Sequence, residues 1–442
     1  MQSIAESPAR WSGLSTDNMR PVPINMSPSS LNIRLSLVCF AAAATALPIA
    51  IISLAKLLLI LCLLTVVTSE WLRRGDTTAH LQGTASPMIL LALLVMAASS
   101  LWSTGSANEA LLAVTKHGKL ILIPVLLYLI RSRREAWVAL TFFVGGQVIL
   151  LMSTWLLFIG IPIPWAISKE AGISYAVFSS YLDQSIMTAV LAAVCWHMRI
   201  HATTRYRTLL SLTVSGLALA CVFFIFQGRT GHLVAVMLVT LALLWEMPRR
   251  FRVGMVAIPF VLLLVLAATS GKVSQGLMEI GSSIESFNNV GDISTSSGTR
   301  LNLWHRSLQS IAENPWRGTG VGSWNQEFNR QEALHAPATF VRITGNPHQE
   351  YLLWGVELGV LGIALLCTVM LTLYRDSLRL EQSARRATQS ILAALALACL
   401  FNSALYDALI GDFFCVALAL VLAFGMHATP PARFTASTRP AH

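Results

Sequence analysis

The sequence predicts an all-α fold: a polytopic bundle of about twelve transmembrane helices with one large helical loop outside the membrane. Three observations carry this. Of the 442 residues, 55% are hydrophobic and only 12% are charged, against about 25% charged in soluble domains. The apolar residues come in continuous runs of about 20, the length that crosses a bilayer as a helix, and not in the alternating ten-residue strands of a membrane barrel. The basic residues fall in small clusters between those runs.

Twelve spans are expected near 35–50, 52–71, 87–103, 113–130, 136–160, 185–200, 208–226, 231–247, 253–270, 349–374, 387–406 and 410–427. With a cytoplasmic N-terminus, alternation puts every main Arg cluster on the cytoplasmic side: Arg73 and Arg74, Arg131 to Arg134, Arg199 to Arg207, Arg249 to Arg252, and Arg375 to Arg386. This is the positive-inside pattern. It explains the net charge of +10 without nucleic acid. The organisation is then a cytoplasmic tail over 1–34, nine spans over 35–270, a periplasmic loop with amphipathic helices over 271–348, three spans over 349–427 and a cytoplasmic tail over 428–442. The first thirty or so residues are polar and lack the regions of a secretory signal. All seven cysteines lie in apolar runs without metal-ligand spacing, so they read as small packing residues.

The long loop contains Leu301, Trp304, Leu308 and Ile311 at helical spacing. This predicts an amphipathic helix from about Thr299 to Ala312, with Ser296, Ser297 or Thr299 as its cap and Asn314-Pro315 as its stop. "WRGTGVGSW" follows. Its G-x-G-x-G is not a dinucleotide fingerprint and no strand precedes it, so it reads as a tight turn.

The charges that defy the positive-inside bias are the informative ones. Arg229, in "FIFQGRTGHLVAV", has little room to leave the membrane surface. Interfacial anchoring competes with ligand binding there, and Gly228 and Gly231 suggest close approach of a bulky ligand. Arg300 opens the amphipathic helix, where free backbone N–H groups would favour an anion, although on its own it reads as an ordinary solvated Arg. Lys116 and Lys119 share one helix face near the outer end of the fourth span, where interfacial snorkelling competes with ligand binding. Together these cations suit an anionic ligand such as a lipid diphosphate, whose geometry matches the Arg fork.

"NPHQEYLLWGVELGVLG" (346–362) puts His348 at a helix entrance. The helix dipole and nearby arginines disfavour imidazolium there, leaving the neutral form a general base needs. Packing, a metal ligand, a transport path and catalysis all remain open on position alone. No His/carboxylate cluster joins it at metal-ligand spacing. Asp407 and Asp412, in "LYDALIGD", are each placed to orient His348 or bind substrate, or to be solvated turn carboxylates. Glu357, about two turns into a span, either hydrogen-bonds within the bundle or belongs to a proton path.

The stretch His348, Gln349, Tyr351-Leu352 and Glu357-x-Gly359-x-x-Gly362 resembles the signature of the O-antigen ligase/polymerase superfamily of bacterial membrane glycosyltransferases, with Gln349 where Asn is usual. "GRTG" around Arg229, Ser297-x-x-Arg300-x-x-x-Trp304 and "ENPWRGTGVGSW" resemble the same family, and the resemblance spans roughly 35–427. It implies a metal-independent GT-C-like bundle in the bacterial inner membrane, with no cofactor and an active site facing the periplasm. The donor would be undecaprenyl diphosphate-linked O-antigen and the acceptor lipid A-core. His348 would be the base, Arg229 and Arg300 the diphosphate ligands, and Lys116, Lys119, Gln349, Tyr351 and Asp407 supporting or substrate-binding residues. Inversion at the anomeric carbon follows from direct attack. Length, span number and the single late loop favour the ligase branch. A polymerase or a protein O-oligosaccharyltransferase is the alternative within the family, and a transporter or flippase of lipid-linked glycans is the alternative outside it.

Overall fold

A computed structural model describes residues 28–74, 83–169, 171–248, 293–335 and 345–427, with isolated positions between 250 and 286. Most of the expected span at 253–270 and most of both tails lie outside the described residues. The chain is an all-α multi-pass membrane protein. Among the described residues there is no strand, and nine helices are long and apolar enough to cross a membrane.

The helices are α1 (Pro28–Ala44), α2 (Ile49–Arg74), α3 (Ala85–Ala98), α4 (Ala107–His117), α5 (Leu122–Leu129), α6 (Arg133–Phe158), the single-turn α7 (Ala171–Ser174), α8 (Tyr181–Met198), α9 (Arg205–Ala220), α10 (Arg229–Glu246), α11 (Ser296–Glu313), α12 (Trp324–His335), α13 (Glu350–Ser377), α14 (Gln382–Phe401) and α15 (Ala408–Met426). The first expected span is the short α1, and the sixth is α8, whose polar first turn keeps it out of the nine. The fourth span is α4 and α5 joined by a 3-10 turn at Gly118–Ile121.

Burial separates two kinds of helix. Helix α15 is almost wholly buried and packs against α5, α6 and α14, while α8 is enclosed by α9, α10 and α14. Helices α2 and α3 leave most of their apolar surface outward, as helices bathed in lipid do. At one end, ion pairs tie the Arg clusters to acids of neighbouring elements: Arg34 to Glu135 at 2.6 Å, Arg133 to Glu381 at 2.6 Å and Arg386 to Glu246 at 3.1 Å. Residues 346–349 lie at the opposite end of the bundle, beside the turn that follows α14.

Two local devices set that opposite end. The first is the cap of α11. The helix begins three residues before the expected Thr299 because the Thr295 hydroxyl, not that of Ser296, Ser297 or Thr299, accepts from the Gly298 amide at 3.0 Å. Asn314 closes it, as expected.

The second is a break in α13. The sequence reads as one continuous span, yet Gly359 has φ 69° and ψ −159°. Its neighbours lose intrahelical partners in a place where water cannot replace them. The segment 314–323 supplies new ones. The Thr319 and Gly320 amides donate to the Val356 and Glu357 carbonyls at 2.9 and 2.8 Å, and the Val360 amide donates to the Pro315 carbonyl at 2.7 Å. The same segment docks on the α3–α4 turn through Thr104 N–H to Thr319 O at 2.9 Å and Val321 N–H to Ser99 Oγ at 3.0 Å.

This explains "GTGVG" better than a simple tight turn does. Gly318, Gly320 and Gly322 all have positive φ. A Cβ on Gly320 would lie 2.3 Å from Ser103 Cα, and one on Gly318 2.5 Å from the Glu357 carbonyl carbon. Backbone meets backbone on both faces of this plug, so only glycine fits.

Gly320→Ala should therefore destabilise the protein by at least about 1–3 kcal/mol, measured as loss of folded protein on heating in detergent. Gly216→Ala, in the interior of α9 with open space around it, should leave the unfolding transition unchanged or raised.

Candidate active site

Helix α11 brackets the site with one face. Ser297, Arg300 and Trp304 are spaced three and four apart, so they project the same way. Ser297 Oγ accepts from Arg229 Nη1 at 3.2 Å. Trp304 Nε1 donates to the Pro347 carbonyl at 3.0 Å. Arg300 lies between these two contacts. Burial pulls its pKa below the usual range, the like charge of Arg229 adds to this, and Tyr181 at the start of α8 opposes it. Two half-buried arginines thus lie close enough for their charges to act on each other. An anion between them would offset both the repulsion and the desolvation.

Arg229 is the first residue of α10, whose cap Gly228 makes no side-chain bond. The sequence suggested that Gly228 and Gly231 open the backbone to a ligand. The structure shows another reason. A Cβ on Gly228 or Gly231 would lie 2.7 or 2.2 Å from Ser185 Oγ. Both glycines let α10 press against α8, and this close packing fixes the Arg229 end of α10.

His348 stands just before α13. Its backbone is left-handed, with φ 49°, one of two non-glycine residues with positive φ among those described. The Asn346 side chain stabilises that conformation by accepting from the His348 amide at 2.9 Å. The imidazole keeps an exposed face. Burial of the rest is the main cause that holds its pKa below 6.5. Arg300 pushes the same way and Asp407 opposes them. Gln349 caps α13, accepting from the Leu352 amide at 2.8 Å. Tyr351 turns its hydroxyl into the bundle, toward the Ala396 carbonyl at 3.3 Å. These two residues support the helix that carries His348.

Asp407 Oδ1 accepts from Asn346 Nδ2 at 3.0 Å, which brings the turn between α14 and α15 against the His348 entrance. Burial raises the Asp407 pKa, while His348, Lys119, Asn346 and Lys116 hold it down. Lys119 does not face the opening. Its buried ammonium donates to the Leu405, Tyr406 and Asp407 carbonyls at 3.2, 2.8 and 2.6 Å. Lys116 lies over the Tyr406 ring, 4.2 Å from its centre. The two lysines thus serve the 402–407 turn in different ways.

Three groups have structural roles that the sequence left open or hid. Asp412 is neither solvated nor at the His348 entrance: it is buried in α15 and paired with Lys56 at 2.7 Å. Glu357 is hydrogen-bonded within the bundle, to His117 at 2.8 Å and to the Gly322 amide at 2.8 Å. Glu350 is the third, and the sequence hides it. Its buried carboxylate accepts from Trp354 Nε1 at 3.0 Å and from the Leu405 and Tyr406 amides at 3.0 and 3.1 Å. Its only signal was a carboxylate in the first turn of an apolar helix, which reads as an ordinary N-terminal charge.

Two cations of this region are committed to acids. Arg306 meets Glu332 at 2.8 Å, and Arg330 bonds Glu327 and Glu313. A cavity of about 850 Å³ between α1, α6 and the segment after α6 is lined almost wholly by apolar groups, and none of its lining residues belongs to the site. Among the described residues no three His, Cys, Asp or Glu side chains gather as metal ligands. The site therefore brings two guanidinium groups, an imidazole and a carboxylate to one end of the bundle.

No curated protein matches the chain. Residues 214–367, the stretch that carries Arg229, Arg300 and His348, match the O-antigen ligase family, and over that stretch the chain is similar to proteins of the O-antigen ligase type.

Proposed function

We propose that the protein is an O-antigen ligase of the bacterial inner membrane, transferring O-antigen glycan from undecaprenyl diphosphate to a sugar hydroxyl of lipid A-core at the periplasmic face. The observation that carries this reading is the meeting, within the family-matched stretch, of the Arg229–Arg300 pair with the His348 entrance on one face of α11. The positive-inside distribution supports the orientation, because the paired Arg clusters occupy the opposite end. On this orientation, 1–34 and 428–442 are cytoplasmic tails and 271–348 is the periplasmic loop.

Each group then has a role. Arg229 and Arg300 hold the donor diphosphate and stabilise the charge that grows on it as the anomeric C–O bond breaks. His348 Nε2 or Nδ1 takes the proton of the acceptor hydroxyl as its oxygen bonds to the anomeric carbon. Direct displacement inverts that carbon. Asp407 stabilises the imidazolium that forms, and the proton then passes to solvent. Fixed guanidinium charge supplies what a divalent cation supplies in other diphosphate-using enzymes, so the reading is metal-independent. Gln349, Tyr351, Lys116 and Lys119 support the site.

The decisive experiment combines purified protein, undecaprenyl-diphosphate glycan and lipid A-core, with and without EDTA. Transfer to lipid A-core that survives chelation is expected. Lengthening of the lipid-linked glycan without transfer would make the protein a polymerase, and movement of intact lipid-linked glycan across vesicles would make it a transporter. His348→Ala should lower turnover by about 10²–10⁴-fold with donor affinity little changed. Near-normal turnover would remove His348 as base. Arg229→Ala and Arg300→Ala should weaken donor binding as well as rate.

The pH dependence follows from the direction of the His348 shift. The base is active when neutral, so kcat/KM falls as pH drops through its pKa. Because burial and Arg300 lower that pKa, the acidic limb should lie below 6.5. Arg300→Ala removes a like charge, so His348 should bind its proton more tightly and the limb should move upward. A limb that stays in place or moves downward would contradict the assignment.

A further inference from the structure

The groups that hold His348 form one continuous connection, and it begins inside the bundle. We propose that Lys119 and Glu350 are positioning residues for His348: together they clamp the 402–407 turn, and the turn sets His348 through Asp407 and Asn346. This rests on the catalytic reading above.

The clamp grips the turn by both kinds of backbone group. Lys119 Nζ takes the carbonyls of Leu405, Tyr406 and Asp407, and Glu350 Oε2 takes the amides of Leu405 and Tyr406. A turn between two membrane helices normally satisfies such groups with water or local bonds. Here two oppositely charged side chains from α13 and the α4–α5 junction do so, both buried. Trp354 fixes the second Glu350 oxygen.

The held turn has one outward side chain at the His348 entrance, Asp407. Its carboxylate accepts from Asn346 Nδ2, and Asn346 Oδ1 accepts from the His348 amide, which is left-handed. Asn346 thus bridges the two. An isolated non-glycine residue costs free energy in that conformation and keeps it only where its surroundings over-determine it. Lys119 supplies a second influence, because its charge helps keep Asp407 ionised against burial, along with His348, Asn346 and Lys116. Around His348 the opposing charges are Asp407 and Arg300.

A residue that merely stabilises the fold would lower the amount of active protein and leave the His348 titration in place. The positioning role moves it. Without Lys119 the turn loses three bonds and Asp407 is more readily protonated or displaced, so His348 loses the partner that favours its charged form. The His348 pKa must then fall.

The test is nuclear magnetic resonance titration of histidine-labelled full-length protein in lipid nanodiscs. The chain has ten histidines, and His348 is assigned by its absence in His348→Gln. Lys119→Met and Asn346→Ala should each shift the His348 midpoint to lower pH, while Arg317→Gln, an exposed cation lost from the same end, should not produce that downward shift. In the transfer assay both variants should lose roughly 10–100-fold in kcat, as small misplacement of a reacting group does, with donor KM nearly unchanged. An unmoved His348 titration in folded Lys119→Met or in folded Asn346→Ala overturns the proposal, and Asn346→Ala decides where Lys119→Met fails to fold. The titration needs no turnover, so inactivity of the wild-type protein would count against the transferase reading and leave this result standing.

Discussion

The break in α13 is the constraint from which the site is built. A helix crossing a membrane satisfies its own backbone, and a residue that leaves helical geometry strands polar groups where no water is at hand. Gly359 creates that defect, and the segment 314–323 repairs it with backbone groups of its own. The repair has a geometric consequence. The segment begins where α11 ends, so joining it to α13 and to the α3–α4 turn anchors the C-terminal end of α11 on the bundle. The face of α11 that carries Ser297, Arg300 and Trp304 is thereby brought between Arg229 and Pro347.

Charge in this bundle divides into two groups. Lys119, Glu350, Lys56, Asp412, Glu357 and His117 each find protein partners. A buried charge with such partners serves geometry, since its donors and acceptors are already committed. At Arg300 the influence that follows burial is another cation, Arg229, which itself bonds Ser297. Like charges held together in a half-buried place have no structural benefit of their own. The proposed donor diphosphate would offset that repulsion, since an anion is what the guanidinium fork accepts.

The sequence shows the fold class because apolar length and positive-inside clustering are properties of single segments. It also marks His348, Arg229 and Arg300, since each is a charge or imidazole where membrane helices disfavour one. It misleads where the reason for a residue lies in a partner far along the chain. Gly228 and Gly231 look like ligand-facing glycines until Ser185 is beside them. Asp407 and Asp412 look equivalent in "LYDALIGD", yet Lys56, 356 residues away, takes one, and Asn346 takes the other. The break at Gly359 is hidden because the plug that satisfies it comes from outside the helix, and "GTGVG" carries no mark of its destination.

The same reasoning explains why Lys119 and Lys116, three residues apart and read as one pair, act differently. The 3-10 turn that opens at Gly118 tightens the helix, and Lys119 is turned inward to the carbonyls of the 405–407 backbone while Lys116 stays half-buried over the Tyr406 ring. An ammonium with three short carbonyl contacts in a buried place has no donor left for a phosphate, since it offers only three. If the lysines contribute to an anion's binding, Lys116 is the one whose geometry permits direct contact. Lys119 acts on the site through the backbone it holds, and so through Asp407 and Asn346 on the left-handed residue at the helix entrance.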